Sequence, residues 1–421
     1  MVDAAELADM VGMATDIPSP TGAERELAEC LAQWMTGAGV DSRVQLIDER
    51  QANMVARLGD AAGGARLLLL APLDTPFAPG PEDAAWLGET PRGDFDLPSF
   101  RAGDAVVGLG AENPTAYAVC ALATALALRR AEVPIGGELL VGLVGGSMPL
   151  LGTPLRERRD VGIGVGTGYL LDRILPPDAA VVLKPGYRVV HEEAGFAWFR
   201  VTVTGALGYT GSRHKGEYRN PVVVAARVAA AFEDWFAEYT ARGTAGQVAP
   251  QGAVTSIHGG DADRPAFNPP ECSLTVDLRL SPGAGVADAA AQVEELLDRL
   301  RAEHPGFGIA ARLLAWRPGT ATPPDSWIVR RLVGAWEDVE GVPHADGPPG
   351  SGMSDGGLLR RHGVPTARIG LPPARRPGPY HGFSMGVADV GAMVRLTHVL
   401  IGAAVEVVTR TREELAEWER T

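Results

Sequence analysis

The chain has 421 residues, enough for two or three domains of roughly 150 residues each. Its hydrophobic content of 46%, with 21% charged residues, is typical of a well-packed globular protein and argues against disorder. The net charge of -14 disfavours a nucleic-acid partner, because a phosphate backbone is also negative. Cys30, Cys120 and Cys272 lie far apart in apolar stretches, which predicts core residues rather than disulfides or a zinc knuckle.

The N-terminal segment carries Asp3, Glu6 and Asp9 and no basic cluster, so it does not resemble a signal peptide. The longest apolar stretch, 116–128, ends at two arginines and is too short to span a bilayer. We therefore expect a cytoplasmic protein without a membrane partner.

The first part of the chain alternates hydrophobic strands with helices. The predicted elements are a helix opening at Thr21, strands at 52–58 and 66–71, a helix at 114–131, and strands at 137–145 and 181–184. Continuous apolar strands of this kind indicate a mostly parallel sheet covered on both faces, an α/β architecture.

The pattern changes near residue 190. The predicted order is strand 196–205, helix 220–239, strands 253–260 and 272–280, helix 286–303 and strand 307–315. This βαββαβ order is that of the ferredoxin-like split unit. A helix at 326–340, a strand at 366–370 and a helix at 387–409 follow, so we expect an inserted domain at 190–315 between two parts, 1–189 and 316–421, of the α/β domain.

Six short stretches in the same order resemble motifs of the dizinc amidohydrolase and exopeptidase family of succinyl-diaminopimelate desuccinylase, acetylornithine deacetylase, aminoacylase and carboxypeptidase G. They are LLLLAPLDT, GLGAENPT, GALGYTGSRHKGEYRNP, NPPECSLTVDLR, SGMSDGG and PYHGF. The likeness covers nearly the whole chain. It implies a zinc-exopeptidase-like, mostly parallel sheet flanked by helices, with an inserted ferredoxin-like α+β domain through which the protein forms a homodimer, or a heterodimer with an active paralogue.

In that family, two zinc ions activate a bridging water. The resemblance places residues without suitable donors at the ligand and catalytic positions: Pro72, Asn113, Gly146, Ser147 and Lys184. Of the family's ligands only His381 is kept. We therefore expect no metal and no other cofactor. The alternative is a single metal site rescued by an inward-turned carboxylate from Glu112, Glu192 or Glu193.

Lys184 stands where the family has an anionic ligand. We predict that its ammonium occupies the cation position beside Asp74 and His381, because a buried charge requires a counterion. A solvated strand-end lysine and a turn-capping aspartate are the alternatives. Pro114 has two possible explanations: a cis Asn113-Pro114 peptide bond, as in the family, or a proline that simply begins the helix in its first turn.

The resemblance also assigns roles to the inserted domain. Tyr209 replaces the family's oxyanion-stabilising His, and with Lys184, His381 and Asp74 it completes the predicted catalytic set. The predicted substrate-binding residues, for a small molecule bearing a carboxylate, are Arg279, Asn268, His214, Ser351, Gly352 and Asn113. Because Asp-x-Arg on a strand is often only an ion pair, a structural role for Arg279 is the alternative.

Three functions follow. The first is a metal-independent, repurposed enzyme that acts on a carboxylate-bearing, amino-acid-like small molecule, as in specialised biosynthesis. The second is a non-catalytic ligand-binding or regulatory pseudohydrolase. The third is a conventional metal-dependent peptidase or amidohydrolase, which the missing ligands disfavour.

Overall fold

The computed structural model describes residues 2–60, 63–79, 83, 92–152, 158–371 and 385–418. The chain divides into two compact units. Unit 1 comprises Met1–His191, Thr322–Asp346 and Ser354–Thr421, and unit 2 comprises Glu192–Ala321 and Gly347–Met353. Most of unit 2 is thus one continuous segment that interrupts unit 1.

The strands within these ranges are β1 (Asp41–Leu46), β2 (Ala52–Gly59), β3 (Arg66–Pro72), β4 (Phe100–Ala102), β5 (Ala105–Val107), β6 (Glu138–Val144), β7 (Ala179–Leu183), β8 (Glu192–Glu193), β9 (Gly195–Thr204), β10 (Gly208–Tyr209), β11 (Gly252–His258), β12 (Phe267–Asn268), β13 (Glu271–Leu280), β14 (Gly308–Arg317), β15 (Thr320–Ala321), β16 (Thr366–Ile369) and β17 (Val387–Asp389). The α-helices are α1 (Ala4–Thr15), α2 (Arg25–Gly37), α3 (Tyr117–Arg130), α4 (Val165–Leu171), α5 (Pro221–Gly243), α6 (Val286–Glu303), α7 (Trp327–Glu340), α8 (Gly356–Arg361), α9 (Val390–Val408) and α10 (Arg412–Trp418).

The main sheet of unit 1 has the strand order β1-β2-β6-β3-β7-β16. The pairs β6–β3, β3–β7 and β7–β16 are parallel, whereas β1–β2 and β2–β6 are antiparallel. All of β3 is buried, because it lies inside the sheet with both faces covered, and this explains its unbroken leucine run. The predicted α/β architecture is confirmed, as a mixed sheet.

Helices cover the two faces of this sheet unequally. Residues of α1, α2, α3, α7 and α9 form the larger core on one face. The other face has a smaller core, to which the short helices α4 and α8 contribute Leu170 and Leu359. The parallel strands thus end in a well-packed scaffold that fixes the loops following them.

Helix α9 has 19 residues and a mean hydropathy of 1.5, so by length and composition it could cross a membrane. Its residues Leu396, Leu400 and Ala403 are buried in the larger core, where the helix packs against α3 and α7. This helix therefore shows the packing of a core element.

The four-stranded sheet of unit 2 is antiparallel, in the order β11-β13-β9-β14. Along the chain its elements are β9, α5, β11, β13, α6 and β14, which confirms the predicted βαββαβ unit. The alternating pattern of β13 buries Cys272, Leu274, Val276, Leu278 and Leu280 beneath α5 and α6.

Candidate functional site

Asp74 lies just beyond the end of β3 and is completely buried. Its Oδ1 accepts a hydrogen bond from Ser147 N at 2.9 Å, and its Oδ2 accepts from Met148 N at 2.9 Å. The Thr21 hydroxyl also donates to Oδ2, at 2.9 Å. Both oxygens of Asp74 therefore hold the backbone of the loop that follows β6.

A second buried carboxylate, Glu24, holds the same loop. Its Oε1 accepts hydrogen bonds from Gly146 N at 2.8 Å and from Gly22 N at 2.7 Å. Its Oε2 is buried and has no hydrogen-bond partner within the part of the chain that the structure describes. Glu24 is the residue immediately before α2, so its carboxyl group joins the segment before that helix to the loop after β6.

The two carboxyl groups are electrostatically coupled. Burial, together with the neighbouring Asp74 charge, raises the pKa of Glu24 to about 8. The backbone N–H groups that donate to its carboxylate act in the opposite direction and lower the pKa. Burial also raises the pKa of Asp74, opposed by the Met148 amide, the Lys184 charge and the Ser147 amide. We therefore assign the proton at neutral pH to Glu24, since the Asp74 carboxylate receives three hydrogen bonds and the field of Lys184.

Lys184 follows β7 and is 8% exposed. Its main-chain N donates to Ile369 O at 3.2 Å, which continues the β7–β16 pairing. Its charge acts on Asp74. The buried position disagrees with a solvated strand-end lysine, and Asp74, on which the lysine charge acts, also accepts hydrogen bonds from the loop amides.

Asn113 lies in an irregular turn, Ala111–Ala116, that precedes α3. The Asn113-Pro114 peptide bond is cis, and α3 begins only at Tyr117, which corrects the predicted start at 114. The Asn113 Oδ1 atom is buried and has no hydrogen-bond partner among the described residues. This oxygen is thus an unused acceptor in unit 1.

Glu112, beside Asn113, does turn inward and is 5% exposed. Its Oε1 accepts a hydrogen bond from the Tyr117 hydroxyl at 3.1 Å. Burial and the Glu112 charge raise the pKa of Tyr117 well above its usual range, so the phenol stays protonated as a donor. Glu112 is therefore engaged with a neighbouring side chain.

In unit 2, Tyr209 and Asn268 belong to a two-stranded ribbon formed by β10 and β12. Tyr209 is 49% exposed, and its ring lies 5.1 Å from that of Phe267. The Asn268 amide donates to Ala206 O at 2.7 Å, whereas its buried Oδ1 has no partner among the residues described. His214 is exposed in the 3-10 helix that follows β10.

Arg279 and Ser351 lie in another part of unit 2, where each is hydrogen-bonded to Gln251. Arg279 N donates to Gln251 O, and Gln251 N donates to the Ser351 hydroxyl oxygen at 3.1 Å. Gly352 O accepts from Ala194 N at 3.2 Å. The Arg279 guanidinium binds Asp277 Oδ2 through Nη2 at 2.9 Å and through Nε at 3.1 Å. The ion pair that was the alternative to substrate binding is therefore present and uses two of the guanidinium donor atoms.

The predicted site residues are thus distributed over both units. Asp74, Asn113 and Lys184 belong to unit 1, whereas Tyr209, His214, Asn268, Arg279, Ser351 and Gly352 belong to unit 2. His381 lies outside the described residues.

Comparisons with known proteins agree with this architecture. Residues 191–305 match the family model of the M20 peptidase dimerisation domain. Over nearly its full length the chain resembles a tripeptidase from Staphylococcus aureus, with a TM-score of 0.68, 15% identity and coverage of 97% of this chain and 100% of that one. It also resembles human carnosine dipeptidase 1, with a TM-score of 0.69, 13% identity and coverage of 96% and 95%.

A third similar structure is an M20 family metallo-carboxypeptidase from Sulfolobus solfataricus, with a TM-score of 0.66, 14% identity and coverage of 96% of this chain and 99% of that one. The chain has the fold of the M20 peptidases and carries their dimerisation domain. At these identities the likeness establishes the M20 fold and leaves the activity to be argued from the site.

The sequence resemblance implies zinc, but the residues that it places at the ligand and catalytic positions do not fit two zinc ions. Pro72 and Gly146 have no side-chain donor, Lys184 brings a positive charge, and both Asp74 oxygens already accept amide protons. The ranges that the structure describes contain no group of three or more His, Cys, Asp or Glu residues able to hold a metal. We therefore derive no step through zinc.

The loop backbone also explains why position 146 is glycine. Gly146 has a φ of +64°, and a β-carbon there would lie 2.2 Å from Val161 O and 2.5 Å from Val165 Cγ1. A glutamate at this position, where the resemblance places the catalytic one, would clash with both neighbours. The loop is thus closely packed around Gly146.

Sequence reasoning missed Glu24 as part of this site. The pattern Thr21-x-x-Glu24 is typical of helix N-terminal capping, where the carboxylate is usually exposed. Instead, the Thr21 hydroxyl bonds Asp74 and Glu24 is fully buried. A possible signal was the Gly145-Gly146 pair, since two glycines allow a carboxylate to approach the backbone closely.

The raised pKa of Glu24 predicts a pH-dependent stability. The folded protein holds a proton on Glu24 up to about pH 8, whereas the unfolded chain loses it near 4.5, so the free energy of unfolding should fall as pH rises between these values. Glu24→Gln keeps an acceptor for Gly22 and Gly146 but does not titrate. We expect it to flatten the slope by up to about 1.4 kcal/mol per pH unit in urea unfolding from pH 5 to 8.

Glu26→Gln is the matched control, because Glu26 is an exposed residue of the same helix. This variant should keep the slope of the unmodified protein. An unchanged slope in Glu24→Gln would contradict the assignment of a buried, protonated Glu24.

Proposed function

We propose that this chain is a metal-independent member of the M20 fold that acts on a carboxylate-bearing, amino-acid-like small molecule with the amine of Lys184. The observation that carries the proposal is the buried Lys184 at the end of β7, where the resemblance places an anionic metal ligand. Its ammonium replaces part of the metal charge, and Asp74 balances it.

The choice of lysine at this position supports a chemical role. Of the 38 basic residues in the sequence, only Lys184 and Lys215 are lysines. Arginine is thus the ordinary cation of this chain, yet the buried position has a lysine. A lysine amine can lose its proton and act as a base or nucleophile, whereas a guanidinium stays charged.

Each unit, taken by itself, has an unused polar atom suited to one functional group of an amino-acid-like molecule. In unit 1, the buried Asn113 Oδ1 would accept a hydrogen bond from the amine or amide N–H of an amino-acid-like ligand. In unit 2, Arg279 makes no hydrogen bond through Nη1 to the described residues, which leaves that donor for a carboxylate. The peptidases that share the fold also act on amino-acid-derived molecules, as their names state.

A second candidate is a non-catalytic ligand-binding protein. The observation favouring it is that Asp74 accepts three hydrogen bonds, from Ser147, Met148 and Thr21, so most of its acceptor capacity serves the fold rather than a substrate proton. Under this proposal Lys184 binds the ligand as a charge and does no chemistry.

The two candidates are distinguished by Lys184→Met, with Lys215→Met as the control in the exposed 3-10 helix. A panel of N-acetyl amino acids and dipeptides is first screened for binding and turnover. An enzyme should lose about 100-fold or more in turnover in Lys184→Met and little in Lys215→Met. A binding protein should show no turnover in the unmodified form and a loss of affinity in Lys184→Met.

Amine labelling provides a second measurement on the unmodified protein. Because the chain has two lysines, mass spectrometry after trinitrobenzenesulfonate treatment reports each separately. The bound molecule from the panel should slow labelling at Lys184 and leave Lys215 unchanged. Equal protection of both lysines, or of neither, would contradict a ligand site at Lys184.

We also propose that the protein is a cytoplasmic homodimer, because the family matched by residues 191–305 is a peptidase dimerisation domain. A heterodimer with an active paralogue is the alternative. Sedimentation equilibrium of the purified chain should give twice the mass of one chain at micromolar concentration. A monomer over that range would contradict the homodimer.

A further inference from the structure

A cavity of about 220 Å³ opens in unit 1 beside the strands β2 and β6. Four arginines line it: Arg43, Arg57, Arg66 and Arg173. Glu138 is the acidic residue in its wall. A concentration of positive charge of this kind is unexpected in a chain with a net charge of -14.

The strand register places these groups on one face of the sheet. Arg66 pairs with Glu138 across β3 and β6, two residues before Leu68 and Leu140, which are buried in the smaller core of that face. Side chains two residues apart on a strand share a face, so the apolar rows of this face end in an arginine and a glutamate.

The neighbouring strands continue the same arrangement. Arg57 follows Val55 by two residues on β2, and Arg43 lies opposite Val55 on β1. The short helix α4 ends at Leu171, and the residues after it, Ile174 and Leu175, form an apolar part of the cavity wall.

The four guanidinium groups are not balanced by acids. Glu138 is 1% exposed and binds both Arg66, through Nε, and Arg57. One carboxylate therefore serves two arginines. Arg43 has no ion pair among the described residues, and Arg173 bonds a neutral carbonyl, Tyr169 O.

Two other acids lie nearby without changing this balance. Asp41 is opposite Arg57 in the strand register, but Arg57 pairs with Glu138. Asp178 accepts a hydrogen bond from the main-chain N of Arg66 and is ion-paired with Arg412. The lining groups thus carry four positive charges and one negative charge.

Two of the arginines are held in place before any ligand arrives. Arg66 is 3% exposed and also donates through Nη1 to Pro176 O at 3.1 Å. Arg173 stacks on Tyr169, with Cζ 3.4 Å from the ring centroid. Fixed guanidinium groups lose less conformational entropy on binding an anion than free ones do.

We propose that this arginine-lined cavity binds a small organic phosphate. A phosphate dianion offers several acceptors to planar guanidinium groups and matches the excess positive charge better than a single carboxylate does. Val55, Leu140, Ile174 and Leu175 form the apolar wall for a compact organic group attached to the phosphate. The site is separate from Asp74 and Lys184, which follow the opposite ends of β3 and β7 from Arg66 and Ala179.

Isothermal titration calorimetry of the full chain with phenyl phosphate tests the proposal. The unmodified protein should bind phenyl phosphate more tightly than inorganic phosphate, because of the apolar wall, and more tightly than benzoate, because of the charge. The double variant Arg43→Gln with Arg173→Gln should weaken binding by about tenfold or more, the effect of losing charged hydrogen bonds. Both residues are exposed and neither bonds Glu138, so the fold should be retained, as circular dichroism can verify.

Arg227→Gln is the matched control, because Arg227 is an exposed arginine on α5 in unit 2. It should bind phenyl phosphate like the unmodified protein. The proposal is overturned if phenyl phosphate does not bind, if the double variant binds it equally well, or if Arg227→Gln loses as much affinity. Tighter binding of benzoate or of inorganic phosphate would overturn the assignment of an organic phosphate.

Discussion

The site in unit 1 depends on two buried carboxyl groups that hydrogen-bond the backbone of one loop. Asp74 accepts from Ser147 N and Met148 N, and Glu24 accepts from Gly146 N. A buried backbone N–H without a partner is costly, so these acids fix the path of the chain after β6. The loop, the segment before α2 and the end of β3 are thereby joined into one structure.

This arrangement determines the charge of the site. With a proton on Glu24, the charges of the Asp74 carboxylate and the Lys184 ammonium offset one another. Two zinc ions would add four positive charges beside an ammonium, without anionic ligands to balance them. The residues that the resemblance places at the ligand and catalytic positions, Pro72, Asn113, Gly146, Ser147 and Lys184, are therefore consistent with the proposed metal-independent protein. Introducing any one of the family's residues would not create a dizinc centre.

The sequence predicted the elements with strong periodicity. The leucine run of β3 indicates a strand buried on both faces, and the alternating pattern of β13 indicates a strand buried on one face. The predicted bounds of both strands agree with the structure to within about a residue. The strand β1 was missed because its pattern, DSRVQL, buries a single residue. The helix α4 was missed because it has seven residues and three glycines or threonines among them.

The candidate site was harder to predict, because its contacts join segments far apart in the chain. Glu24 and Gly146 are separated by 122 positions, and no local pattern distinguishes a buried glutamate from a capping one. Similarly, the sequence left two roles open for Arg279, an ion pair with Asp277 or substrate binding. Only the geometry shows that the ion pair uses Nε and Nη2 of the guanidinium group.

Metal stoichiometry tests the central claim most directly. The untagged chain, expressed in zinc-supplemented medium and desalted, would be measured by inductively coupled plasma mass spectrometry beside an M20 metallo-carboxypeptidase treated identically. The account predicts well below one zinc per chain, because Lys184 and the occupied oxygens of Asp74 leave no suitable ligand set among the described residues. Two zinc ions per chain, with zinc-dependent amidase activity, would contradict it.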